Sequence, residues 1–323
     1  MYAVTCQGHG GPDVLTLVEF PKPILTPDQI LVRVRAAGLN RADILQRRGK
    51  YYPSPGESTI LGLEVAGEVV EMGDRVTRFS IGDRVASLVG GGAYAEYCAV
   101  HSETAFIIPD HLSYIEAAAI PEAFLTAHEA LFSLGNLKAG ESVLIHAGAS
   151  GVGSAAIQLA KQSGATVFTT VGHVEKIQKI KNLGADTIIQ YKETDFSEVI
   201  GAIHGVDVII DFIGAEYFSK HLMILKSMGR LICVGMMGGT RSEIDLNAVI
   251  RKRLQIKGLV MRTRSIDDKA HLTRVFIEKW LLYFEDKKLC PVIDSVFPLK
   301  EVQAAHRYME SQMNVGKIIL EPI

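Results

Sequence analysis

Apolar and polar residues repeat with two different periods along the chain, and the change of period divides it. From residue 1 to about 120 the period is two. Ile30-Leu31-Val32-Arg33-Val34-Arg35-Ala36 alternates after a proline-rich lead-in, Pro21 to Pro27, which predicts a half-buried strand. Val65 to Val70 and Arg84 to Leu88 are further candidate strands. Gly10-Gly11-Pro12, Gly73-Asp74, Gly82-Asp83 and Gly90-Gly91-Gly92 set turns between them. This pattern predicts a compact, partly barrel-like β domain.

From about Glu122, short apolar runs alternate with stretches of helical spacing. Strands are predicted over Val143 to His146, Thr166 to Thr170, Thr187 to Gln190, Val206 to Ile210 and Arg230 to Val234, with Ile256 to Val260 a candidate sixth. Helices are predicted over Gly151 to Ser163, stopped by Gly164, and Glu175 to Leu183, stopped by Gly184. Strands and helices in turn argue a parallel, doubly wound α/β sheet. The tail from Ser265 follows neither pattern. It offers a long helix, about Asp267 to Asp286, a strand Val292 to Phe297, a helix Lys300 to Glu310 and a last strand Lys317 to Leu320.

Composition narrows the function. The chain has 323 residues, enough for about two domains, and is 48% hydrophobic and 22% charged. A net charge of -2 gives none of the general basicity of a nucleic-acid binder. No apolar run approaches the ~20 residues of a membrane span. Met1 to Val14 lacks a basic segment followed by an apolar one, so a cytoplasmic protein is expected. Cys6, Cys98, Cys233 and Cys290 are scattered with no Cys-x-x-Cys pair. That argues against a disulfide framework or structural zinc and for small apolar residues in a reducing compartment.

The richest chemistry lies in His146-Ala147-Gly148-Ala149-Ser150-Gly151-Val152-Gly153, between the run Val143-Leu144-Ile145 and a predicted helix. Strand, glycine turn and helix together suit a dinucleotide: glycines let backbone N–H groups approach a pyrophosphate, and the positive helix end faces it. The alternative is a close packing turn without a ligand. Ser150 is not a hydrolase nucleophile elbow, because Val152 stands where that motif needs its last glycine. Aspartate or glutamate about 20 residues on would bind the ribose 2′-OH of NAD. Here the string is Thr169-Thr170-Val171-Gly172-His173-Val174-Glu175-Lys176. The strand ends without an acid and is followed by glycine, histidine and lysine, as suits a 2′-phosphate. NADPH is the expected cofactor, with Gly172, His173 and Lys176 at its phosphate. A solvated first helical turn is the other reading of Lys176.

Five strings, in order, carry a resemblance over nearly the whole chain: Ala37-Gly38-Leu39-Asn40-Arg41-Ala42-Asp43, Leu61-Gly62-Leu63-Glu64-Val65-Ala66-Gly67, Ala118-Ala119-Ile120-Pro121-Glu122-Ala123-Phe124-Leu125-Thr126-Ala127, the glycine turn, and Asn314-Val315-Gly316-Lys317-Ile318. They resemble the medium-chain dehydrogenase/reductase superfamily in its zinc-free quinone oxidoreductase branch. The resemblance implies a GroES-like, partly open β-barrel domain (1–121), a Rossmann NADPH-binding domain (122–262) and a return segment (263–323) completing the first. It also implies a homodimer. Zinc enzymes of the superfamily carry Gly-Val-Cys-His-Thr-Asp and Gly-His-Glu at the corresponding strings. Here Asn40 and Leu63 replace the cysteine and histidine. Catalytic zinc needs about three ligands from Cys, His or carboxylate, so no metal is expected, with Glu64 structural.

The resemblance also places residues. Asn40, Tyr51 and Thr126 are expected around the nicotinamide and acceptor, with Asn40 and Tyr51 as catalytic candidates. Tyr191 lies beside the adenosine end, although relatives commonly have serine where His173 stands. Gly235 and Met236 belong to a loop past the nicotinamide ribose, and Asn314 and Gly316 to the C-terminal contacts. Each has a plainer reading. Asn40 serves as a strand-end turn residue, Tyr51 as an aromatic plug, Thr126 as a helix cap, Gly235 to Gly239 as a flexible turn and Asn314 as a helix C-cap. Met261, Arg262 and Arg264 either border the acceptor opening or form a solvated basic edge. The expected reaction is hydride transfer from NADPH to a quinone or α,β-unsaturated carbonyl. An enoyl-thioester or alkenal reductase and a non-catalytic NADPH-binding protein are the alternatives.

Overall fold

A computed structural model describes residues 1–322. The chain divides into two units: Met1–Leu125 with the segment from Met261 onward, and Thr126–Val260. The sequence reading set the divisions at 121/122 and 262/263. The first moves because Pro121–His128 is one helix, whose Phe124 ring packs 5.0 Å from Phe284 and 6.5 Å from Phe276 in the same unit. Aromatic packing, and not the change of period, holds that helix's first turns.

Unit one opens with an antiparallel pair, β1 (Tyr2–Cys6) and β2 (Leu15–Glu19). Then come β3 (Gln29–Leu39), β4 (Glu64–Met72), β5 (Arg84–Leu88), β6 (Tyr97–His101) and β7 (Ala105–Ile107). In β3 the period-two signal is realised: Arg33 and Arg35 face solvent while Val32, Val34 and Ala36 are buried. Ile30, Val32, Val69, Val85 and Val100 belong to one core, each burial worth about 1.5–3 kcal/mol.

Unit two supplies β8 (Ser142–Ile145), β9 (Thr166–Val171), β10 (Thr187–Gln190), β11 (Val206–Asp211), β12 (Leu225–Cys233) and β13 (Gln255–Gly258). They form a parallel sheet of order β10-β9-β8-β11-β12-β13, a doubly wound sheet that reverses direction beside β8. Ile209 pairs with Leu144 on one side and Leu231 on the other. The strand expected at Arg230 begins earlier, at Leu225. The helix expected from Glu175 begins as a 3-10 turn, Val174–Lys176, before Ile177–Asn182. Helices Phe196–Ala202 and Ala215–Ile224, unforeseen, complete the winding.

The tail returns to unit one as β14 (Ile293–Pro298) and β15 (Lys317–Glu321), after helix Ile266–Glu285. The barrel sheet runs β14-β15-β3-β4-β5-β7, with β6 pairing the first half of β3 on the flank away from β4. β15 lies antiparallel to β3, Ile318 opposite Leu39. That register carries Lys317 to the end of β3, beside Asn40.

Candidate functional site

In unit two the chain leaves β8 and turns sharply. Ala147 adopts φ 51, and the N–H of Gly148 donates to the Thr170 carbonyl at 3.0 Å. A Cβ on Gly148 would lie 2.0 Å from Thr169 Oγ1, and one on Gly153 would lie 2.2 Å from the Ala147 carbonyl oxygen. Strand, turn and helix therefore pack too closely for any side chain there. Ser150 is the N-cap of helix Gly151–Gln162; its Oγ accepts from the Gly153 N–H at 3.0 Å. The first-turn N–H groups of Gly151 and Val152 have no partner within the helix, and the helix dipole adds positive potential there. The cradle fits a pyrophosphate.

At the end of β9, Gly172 keeps the backbone bare beside Tyr191: a Cβ would lie 2.9 Å from its hydroxyl. Lys176 is 8% exposed, which removes the reading of a solvated turn, whereas Glu175 is exposed. His173 Nε2 lies 3.3 Å from Lys192 Nζ, so a further cation follows Tyr191. Sequence reasoning missed Lys192, although a lysine directly after the tyrosine was the available signal. Thr126 lies inside helix Pro121–His128, not at its cap. Its buried Oγ1 has no partner among the described residues, and so remains available to a ligand. Beyond β12, the N–H groups of Met237 and Gly238 donate to the carbonyls of Phe212 and Ile213. The loop of Gly235 and Met236 is therefore tied down and not a free turn, with Met236 exposed.

A buried polar chain runs behind the glycine turn. His146 Nε2 is 2.9 Å from His221 Nε2, and His146 Nδ1 is 3.0 Å from Thr170 Oγ1. Burial holds His146 well below the usual imidazole range and His221 at about 3. Both rings are therefore neutral at pH 7.

Unit one holds a second constellation. Lys317 Nζ sits 2.5 Å from Glu64 Oε1, 2.6 Å from Asn40 Oδ1 and 3.0 Å from the Leu39 carbonyl. Asn40 Nδ2 donates to Glu64 Oε1 at 2.9 Å, and the Glu122 N–H donates to Glu64 Oε2 at 2.8 Å. Both ends of the Asn40 amide are thus engaged within the protein. Asn40 therefore orients Glu64 and Lys317, while its amide keeps a second N–H and a second lone pair. Asp43 accepts from the N–H groups of Asn40 and Gly62 and from the Tyr94 hydroxyl; burial lifts its pKa to about 6. Burial, with Glu64 second, lifts Glu122 to about 8. Among the described residues no group of three or more His, Cys, Asp or Glu is arranged to hold a metal ion.

Tyr51 is held by a neighbouring cluster. The Arg262 guanidinium lies over its ring, 5.3 Å from the centroid. Arg262 donates to Gln46 Oε1 at 2.7 Å and to the Gly90 carbonyl at 2.6 Å, and pairs with Glu57, which Lys269 also reaches. Arg262 is buried, so it is no solvated edge. Burial, with the Glu122 charge second, pushes the Tyr51 hydroxyl up to about 12, so it stays protonated. Asn314 is not a helix cap: the preceding helix ends at Glu310, and Asn314 Nδ2 donates to the Gly316 carbonyl at 2.9 Å. Gly316, at φ 91, passes the Val292 carbonyl where a Cβ would stand 2.2 Å away. Cys290 is exposed, unlike an apolar core residue, and none of the four cysteines is in a disulfide.

Residues 26–110 match the family described as alcohol dehydrogenase GroES-like domain, and residues 151–275 the family described as zinc-binding dehydrogenase. The chain is 33% identical to the synaptic vesicle membrane protein VAT-1 homolog of Homo sapiens, over 98% of this chain and 85% of that protein. It is 34% identical to a quinone oxidoreductase of Lama guanicoe, over 99% and 97%. Among solved structures, the CurK enoyl reductase superposes with TM-score 0.88 at 29% identity, covering 100% and 99% of the two chains. A mycobacterial protein complexed with NADPH superposes with TM-score 0.89 at 29% identity, covering all of both chains. No helix among the described residues is long and apolar enough to cross a membrane. With the doubly wound sheet, the barrel closed by its own tail and these relatives, the chain belongs to the medium-chain dehydrogenase/reductase superfamily, in its quinone oxidoreductase branch.

Proposed function

We propose that the chain reduces quinones and related α,β-unsaturated carbonyls with NADPH and without zinc. The observation that carries this reading is the Lys317 ammonium, bonded to both Asn40 and Glu64. Asn40 and Leu63 offer neither thiolate nor imidazole, and a lysine cation satisfies the one carboxylate left. Without a Lewis acid to lower an alcohol's pKa, an already electrophilic acceptor is the suitable substrate.

NADPH supplies the hydride when bound. The turn of residues 148–153 shapes the cradle and the first-turn amides of Gly151 and Val152 bind the pyrophosphate, while Gly172, His173, Lys176 and Tyr191 receive the adenosine end with its 2′-phosphate. The missing acid after β9 and the NADPH-bound relative support that choice. Thr126, Gly235, Met236, Asn314 and Gly316 remain our candidates for the nicotinamide end. Tyr51 rests protonated, donates a hydrogen bond to the acceptor carbonyl, and gives its proton to the reduced product while taking one back from solvent. Arg262 fixes its ring.

The likeness to an enoyl reductase favours a second reading, in which the acceptor is an enoyl thioester. A panel of quinones, alkenals and enoyl thioesters tests the proposal. NADPH-driven turnover supports a reductase, and tight NADPH binding with no turnover overturns it in favour of a non-catalytic role. We further propose a cytoplasmic homodimer. Exposed Ile244, Leu246, Ile250, Ile256 and Val260, on and around the edge strand β13, support the dimer.

A further inference from the structure

A pocket of about 350 Å³ opens on unit one, lined in part by His9, Gly10, Arg47, Arg48, Lys50 and Glu310. Arg47 is fully buried, and its Nη2 lies 2.6 Å from Glu310 Oε1. Arg48 reaches the same oxygen at 2.5 Å. One carboxylate oxygen therefore serves two guanidiniums. Arg41 stands near enough that, after burial, the charge of Arg48 and then of Arg47 holds its pKa down, with Glu310 opposing. Two further acids stand near: the Asp13 carboxylate lies at Gly11, and Asp43 is one turn before Arg47 on the same helix. Two guanidiniums and the Lys50 ammonium thus line this pocket with Glu310, and Arg41 stands nearby.

Concave sites with an excess of one charge concentrate counter-ions, and guanidinium forks match phosphate oxygens in pairs. Arg48 is 44% exposed in its side chain and Lys50 is exposed, so both keep donors open to solvent. The pocket adjoins the loop of Tyr51. Lys50 precedes Tyr51, while the Tyr52 ring stands edge-on to His9 at 6.4 Å and its hydroxyl donates to the Gly49 carbonyl. One short segment therefore carries both a wall of the basic pocket and the residue assigned to the acceptor carbonyl. A quinone has no anionic group to place there.

We propose that this pocket binds the phosphate of an acceptor's carrier tail, so that enoyl thioesters on a phosphate-bearing carrier are among the α,β-unsaturated carbonyls the chain reduces. The acceptor assignment rests on the reductase reading above; the phosphate site does not.

Two measurements test it. The first is calorimetric titration of the NADP⁺-saturated protein with pyrophosphate, comparing wild type, Lys50→Gln and Arg48→Gln/Lys50→Gln. Lys50→Gln guards against misfolding, since Arg48 also pairs with Glu310. Weakening of about tenfold in the double variant, with a smaller loss in the single one, is expected. Equal binding by all three proteins overturns the site. The second compares KM for crotonyl-CoA with KM for crotonyl-pantetheine, which lacks phosphates. The double variant is expected to raise the first about tenfold and leave the second unchanged. Equal changes in both overturn the carrier assignment and leave free phosphate as the ligand. No turnover of any acceptor, with pyrophosphate binding still dependent on Arg48 and Lys50, overturns the reductase reading while the phosphate site stands.

Discussion

Lys317 Nζ lies 2.5 Å from Glu64 Oε1, with the side chains 5% and 0% exposed. A buried carboxylate is tolerated only where cations or donors replace its hydration. Glu64 has the ammonium, the Asn40 amide and the Glu122 N–H. This pair joins the last strand of the barrel to the start of its fourth. Removing one partner leaves the other charged and buried, so Lys317→Met is expected to destabilise unit one by about 3–5 kcal/mol. Lys317→Met/Glu64→Gln is expected to recover part of that loss. Urea unfolding of the four proteins checks it, and a single-variant loss below about 1 kcal/mol would count against the pairing.

Tyr51→Phe removes one hydroxyl and leaves the ring under Arg262. If the hydroxyl relays a proton, kcat/KM should fall about 10²-fold with a quinone. Unchanged turnover and acceptor affinity would remove Tyr51 from the mechanism. Because its pKa is pushed up to about 12, Tyr51 should add no alkaline limb to the pH profile below about pH 10.

Glu122 makes stability depend on pH. Its pKa rises from 4.5 unfolded to about 8 folded, so the folded chain holds a proton that the unfolded chain has released. The stabilisation is complete below pH 4.5 and is lost as pH climbs through 8. Asp43 acts with the same sign but ends near 6, while the neutral His221 loses stability only as pH falls below 6.5. From pH 6.5 to 8, Glu122 is thus the group of these three that still titrates. Unfolding free energy should slope downward there by at most about 1.4 kcal/mol per pH unit. The slope should vanish in Glu122→Gln; its survival would mean another group carries it.

His173→Asp puts a carboxylate where we assign the 2′-phosphate, next to Lys192. The ratio of Kd for NADH to Kd for NADPH should fall by at least about tenfold, read by quenching of protein fluorescence. An unmoved ratio would separate His173 from that phosphate.

Much of this was legible in sequence because it depends on short spacings. The strand–glycine–helix string located the sharp turn between β8 and its helix, and Asn40 with Leu63 revealed the missing thiolate and imidazole. The contacts that decide roles join distant residues. Lys317 meets Asn40 across 277 positions and Arg262 meets Gln46 across 216. Periodicity carries no information about such pairs. Hence nothing local in the sequence shows that Lys317 and Glu64 engage both ends of Asn40, and for Arg262 the choice between an acceptor rim and a solvated edge turns on its burial over Tyr51. For Thr126 the sequence allows a cap or a ligand contact, and the start of the helix at Pro121 removes the cap.

The central claim is a zinc-independent, NADPH-driven reductase. Its most direct test follows reduced nicotinamide during turnover of 1,2-naphthoquinone, with NADPH and NADH in parallel and a metal chelator in one arm of each. The account predicts turnover that prefers NADPH and is untouched by the chelator. Turnover abolished by the chelator and restored by zinc, or a preference for NADH, would contradict it.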